Sequence, residues 1–128
     1  LLTVFSIAFC AAAPATRGFL DLRAWNWAST PNLELNGQWE FYWDTLLTHF
    51  SASNTPDYIW TPMPWNRDGH YPAFGCATYR LRVILAPEHP TLGIRVPAVA
   101  NAAAIYINGH NIEQVGIPTC SQSDMVPH

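Results

Sequence analysis

The chain has 128 residues, 49% of them hydrophobic and 12% charged, which suits one globular domain and excludes a disordered chain. Net charge is −3, and all six basic residues are arginines, scattered as Arg17, Arg23, Arg67, Arg80, Arg82 and Arg95. No basic run exists to grip a phosphate backbone, so nucleic-acid binding is set aside, and without lysine there is neither Schiff-base chemistry nor a P-loop.

Leu1 to Ala13 is apolar and uncharged, and the chain continues through Pro14 and Ala15. The small residues at its end suit signal-peptide cleavage, so residues 1–15 read as the remnant of a secretory signal and residues 16–128 as the domain. A leucine at position 1 fits a fragment or a processed product. A buried apolar strand or helix start is the plainer alternative; a spanning helix would need about 20 apolar residues. A lipoprotein acceptor at Cys10 would call for a small residue before it, where bulky Phe9 stands. If Cys10 leaves with the signal, Cys76 and Cys120 remain, an even pair that an exported domain can oxidise. Such a bridge would add roughly 3–4 kcal/mol in the chain-entropy model. Two free cysteines, buried as small hydrophobes, are the alternative.

Phe19 to Leu22 reads as a short first strand. Trp25 and Trp27 share a face at strand spacing, and Ser29 to Asn32 is a turn cluster. Leu33 to Trp43 carries the strongest signal. Its Asn36-Gly37 pair predicts a tight type I′ hairpin turn, after which Trp39, Phe41 and Trp43 line one face of a strand. Such rings bury on the order of 150–250 Å² each and require a second layer to cover them. Asp44 is a good N-cap for one or two helical turns over Thr45 to Phe50, and Ser51 to Asp57 is polar loop. Tyr58 to Phe74 reads as irregular loop, dense in aromatics, because its three prolines exclude a central strand or helix there. Thr78 to Leu85 is a clear strand with Tyr79, Leu81, Val83 and Leu85 on one face; Arg80 and Arg82, opposite, are solvated or ion-paired. Leu92, Ile94 and Val96 alternate as a further strand. Asn108-Gly109 predicts a second hairpin between Ala104 to Ile107 and Asn111 to Val115, and loop follows from Gly116. Short alternating strands between turn signals indicate an all-β sandwich.

Four stretches together carry a resemblance: Leu33 to Trp43, Met63-Pro64-Trp65, Gly75 to Leu81, and Ile105 to Gly109. They resemble the type 2 extracellular domain of bacterial seven-transmembrane receptors with diverse intracellular signalling modules. They are similar, more distantly, to the sugar-binding domain of glycoside hydrolase family 2. Both are galactose-binding-like jelly rolls, so the resemblance implies a jelly-roll β-sandwich over roughly Gly18 to Gly116. It implies a periplasmic or extracellular sensor, tethered in the full-length protein to a membrane signalling module. The family pattern runs into further strands beyond Asn108-Gly109, which implies truncation at the C-terminus. Cys76 stands where the family often has an aromatic, so a Cys76–Cys120 link would be peculiar to this chain.

The residues carry no Gly-x-Ser-x-Gly, His-Glu-x-x-His or Cys-x-x-Cys motif, and the five histidines are isolated. No metal or cofactor is expected. Asp57 and Asp68 flank the aromatic stretch and could pose as an acid and base, but the resemblance places hydrolase chemistry in another domain, and the expectation is a non-enzyme. Sugar binding needs aromatic faces ringed by planar polar groups. Trp60, Trp65, Tyr71 and Phe74 supply faces; Asn66, Arg67, Asp68 and His70 supply hydrogen bonds. The plainer alternative is that Trp65 and Phe74 close the end of the sandwich while the polar residues are solvated. The expected function is non-catalytic sensing of a carbohydrate or other small polar ligand. The alternatives are an accessory sugar-binding domain of a family 2 β-glycosidase and a structural module that binds a protein partner.

Overall fold

The structure is a computed structural model that describes residues 13–96 and 101–121. The expected signal remnant, with Cys10, therefore lies almost entirely outside the described residues. The chain forms β1 (Phe19–Leu22), β2 (Gly37–Trp43), β3 (Asp57–Thr61), β4 (Ala77–Arg80), β5 (Arg82–Leu85), β6 (Ala103–Ile107) and β7 (His110–Val115). No helix occurs among the described residues, so none there is long and apolar enough to cross a membrane. The fold is all-β, built from small sheets: antiparallel β3-β2-β4, parallel β1-β5 and the β6-β7 hairpin.

The strand β2 is the centre of the three-stranded sheet, and both of its faces are covered. Phe41, 1% exposed, lies within 4.8 to 6.2 Å of the rings of Tyr71, Tyr79, Trp43 and Trp65. Offset and edge-on pairs of this kind add to the burial of the rings themselves. Trp39 joins a second cluster around Ala15, Leu20 and Leu22, with Leu33, Leu35, Leu81 and Leu85. On the opposite face Glu40 and Tyr42 are buried, and Glu40 accepts hydrogen bonds from Arg80, Arg82 and Tyr42. The two arginines also lie over aromatic rings, Arg80 over Phe50 at 4.1 Å and Arg82 over Phe19 at 4.7 Å. Of the two expectations for these arginines, ion pairing is the one realised.

Asn36-Gly37 is not a hairpin turn. Gly37 opens β2 at φ 126°, and β2 pairs with β3 and β4 instead of with Leu33 to Asn36. The pair is used to bring two backbones together. Ala15 N–H donates to the Asn36 carbonyl at 2.9 Å, and Gln38 N–H to the Ala15 carbonyl at 2.8 Å. A Cβ on Gly37 would lie 2.3 Å from the Ala15 nitrogen, so only glycine permits the approach. At Asn108-Gly109 the expected turn does form, with φ 50° and 80° at its two central residues, as a type I′ turn requires.

Four further expectations are corrected. Thr45 to Phe50 is not helical. Asp44 adopts a left-handed φ of 55° where an N-cap would be extended, and Leu47 N–H donates to the Thr78 hydroxyl at 2.9 Å. Asp57–Thr61 is a strand, because it fits between Pro56 and Pro62 and lies at a sheet edge. Thr78 to Leu85 is two strands. Leu81 breaks the run, and Arg82 N–H donates to the Gly18 carbonyl, passing the chain from β2 to β1. Leu92 to Val96 forms no strand, and Leu92, Ile94 and Val96 are exposed.

Candidate functional site

A cleft of about 340 Å³ lies where β3 meets the loop that follows it. β3 contributes Asp57 to Trp60, and the loop contributes Met63 to Trp65, Arg67, Asp68, His70 and Tyr71. Alternation along β3 divides its contribution. Asp57 stands opposite Phe41, on the side of the aromatic cluster, whereas Trp60 stands opposite Gln38.

The loop is a chain of short turns. Arg67 N–H donates to the Pro64 carbonyl, Gly69 N–H to the Asn66 carbonyl, and His70 N–H to Asp68 Oδ1 at 3.0 Å. Side chains fasten it to the core. The Trp65 indole N–H donates to the Pro72 carbonyl at 2.8 Å, while its ring lies 5.6 Å from Trp43. The Tyr71 hydroxyl donates to Asp57, and its ring packs on Phe41 and Trp43. Burial first, then the bond to Asp57 and the nearby charges of Asp57 and Asp68, push the Tyr71 phenol up to about 12. Tyr71 is therefore neutral and a donor across the whole physiological range.

Among the residues expected to bind ligand, Trp60, Trp65, Arg67, Asp68, His70 and Tyr71 line this one cleft; Asn66 does not, its carbonyl holding a turn instead. Their availability differs. Trp65 and Tyr71 are half-buried and committed to the core, as the plainer alternative held for Trp65. Phe74 closes nothing, being 70% exposed. Trp60 is 48% exposed, and among the described residues its ring has no aromatic partner and its indole N–H no acceptor. The Arg67 guanidinium donates only to the Met63 sulfur among the described residues, at 2.8 Å, and no described carboxylate pairs with it. Sequence reasoning missed Asp57 as the loop's anchor. Its position opposite Phe41 depends on β3 being a strand.

Cys76 and Cys120 form a disulfide across 44 residues, with Cα atoms 4.7 Å apart. Asp44 brings a carboxylate oxygen within 4.8 Å of both sulfurs, but the sulfurs are bonded to each other and are not free thiolates for a metal. No protein-family model, curated protein or solved structure matches this chain.

Proposed function

We propose that the domain is a non-catalytic ligand-sensing module of jelly-roll type that binds a neutral carbohydrate in the β3 cleft. One observation carries this reading: an unpartnered, half-exposed Trp60 ring beside an Arg67 with no carboxylate partner, in a cleft of about 340 Å³. A pyranose lays its C–H face on an indole and its vicinal hydroxyls on planar donors and acceptors. Trp60 supplies the face, Arg67 the forked donor, and Asp68 Oδ2, which has no described partner, the acceptor. Asp57 and Asp68 supply carboxylates, but Asp57 is held by Tyr71 as a fastening of the loop, which favours binding over acid–base chemistry.

The cleft joins two parts of the chain, β3 and its loop, so a ligand that spans both favours their docked arrangement. Coupling to an attached membrane module then requires only that this arrangement differ between its signalling states. The disulfide supports an exported location, because such bonds persist in oxidising compartments. An accessory sugar-binding domain of a glycosidase would use the same site. The apolar exposure of Leu92, Ile94 and Val96, with Ile107 and Ile112 on the hairpin, favours a second reading as a protein-interaction module.

Thermal unfolding across a panel of mono- and oligosaccharides tests the proposal. A ligand at 100 times its dissociation constant stabilises the folded state by about 2.7 kcal/mol. The expected result is a rise in Tm with at least one sugar that is lost in both Trp60→Ala and Arg67→Ala, with both variants folded. No rise with any sugar, or a rise untouched by both substitutions, would overturn it.

A further inference from the structure

A second cleft, of about 680 Å³, lies elsewhere and draws on different residues. The strands β1 and β5 run parallel with Leu22 opposite Leu85, so the segments leaving their C-terminal ends emerge side by side. One carries Arg23, Trp25 and Trp27; the other carries Glu88 and His89. The two indoles meet edge to face, centroids 6.4 Å apart at 72°, forming a corner. Both are half-buried and pack against the Leu20 and Leu22 cluster. The Trp25 indole N–H donates to the Thr30 carbonyl at 3.1 Å. Among the described residues the Trp27 indole N–H has no acceptor.

Charge decides what this corner would hold. Arg23 is clamped on Asp21 through Nε at 3.0 Å and Nη2 at 2.7 Å, so its charge is already answered. His89 turns Nδ1 toward the Pro90 carbonyl at 2.7 Å. Glu88 makes no ion pair or side-chain hydrogen bond among the described residues, and it is the unanswered charge of the cleft. Aromatic faces beside a lone carboxylate recognise weakly hydrated cations, whose charge interacts with the ring quadrupoles and whose methyl groups cover the rings. A neutral sugar would use the faces and leave the charge uncompensated.

We infer that the Trp25, Trp27 and Glu88 corner binds a small organic cation, of which a quaternary ammonium is the simplest form. The site is separate from the β3 cleft and does not depend on the function proposed there.

The test uses the full chain and two probes: choline, and its neutral isostere in which a tert-butyl group replaces the trimethylammonium. Binding is read from the indole N–H resonances of Trp25 and Trp27. Two ring contacts and one carboxylate should make choline bind about tenfold tighter than the isostere. Glu88→Gln, a surface change that leaves the rings in place, should remove most of that preference. Trp27→Ala strips a ring from the core cluster, so Glu88→Gln carries the test. Equal binding of the two probes, no movement of either resonance, or a preference that survives Glu88→Gln would each overturn the inference. So would movement of these signals by a neutral sugar and not by choline.

Discussion

Replacing Glu40 probes the one buried charged residue among those described. Its side chain is 5% exposed and holds Arg80, itself 23% exposed, and Arg82, 49% exposed. One carboxylate oxygen accepts from Arg80 Nε and from the Tyr42 hydroxyl at 3.1 Å, and the other from Arg80 Nη2 at 3.3 Å and Arg82 Nη2 at 3.1 Å. Removing one partner of a buried ion pair costs about 3–5 kcal/mol, because the other charge is left desolvated. Arg82 is half in water and can rehydrate, so Glu40→Ala should fall at the low end, about 3 kcal/mol. Glu40→Gln keeps an acceptor and should cost about 1–2 kcal/mol. Burial pushes the Glu40 carboxyl up, but Arg80, Tyr42 and Arg82 together outweigh it and hold the group below its ordinary 4.5. A carboxyl depressed by folding stabilises above its unfolded value, and that stability is lost as pH falls through the folded value. Urea unfolding followed by tryptophan fluorescence, at neutral pH and below 4.5, measures both effects. Glu40→Gln should flatten the acid-side loss as well as lower the neutral-pH stability. A loss in Glu40→Ala below about 1 kcal/mol, or an acid-side slope unchanged in Glu40→Gln, would refute the reasoning.

Gly37→Ala places a Cβ 2.3 Å from the Ala15 backbone at a φ of 126°, and should cost about 1–3 kcal/mol in chemical unfolding and raise exchange at the Ala15 and Gln38 amides. Replacing Cys76 and Cys120 together with serine frees a 44-residue separation and should lower stability by about 4 kcal/mol in the chain-entropy model. In an ultraviolet titration, Tyr71→Phe should delete the phenol that ionises near 12. Because folding raises that phenol from 10.0, its contribution to stability is complete below 10 and fades as pH climbs toward 12, a loss that Tyr71→Phe should not show.

The sequence was legible where local chemistry has one structural solution. Asn108-Gly109 has φ 50° and 80° at its two residues and joins β6 directly to β7, so the hairpin forms as read. The alternation of Trp39, Phe41 and Trp43 marked the core strand correctly, because three rings on one face must be covered. Asn36-Gly37 carries the same dipeptide, but Ala15 competes for its backbone, and a contact over 22 residues leaves no local mark. Asp44 has the composition of an N-cap, yet its amide donates to the Cys76 carbonyl, a partner in a distant segment. The cleft was legible as a composition: aromatics among Arg67, Asp68 and His70. Which ring is free was not, since Trp60 and Trp65 differ only in what the fold lays against them. Trp65 meets Phe41 and Trp43, while Trp60, opposite Gln38 on an edge strand, is left 48% exposed.

The most direct test of sugar sensing in the β3 cleft is the set of indole N–H resonances, one for each of the six tryptophans, recorded as saccharide is added. Binding as proposed should move Trp60 most, Trp65 less because its N–H stays on the Pro72 carbonyl, and leave Trp25, Trp27 and Trp39 in place. Saturable shifts confined to Trp25 and Trp27, or no shift at Trp60 with any saccharide that stabilises the fold, would contradict the account.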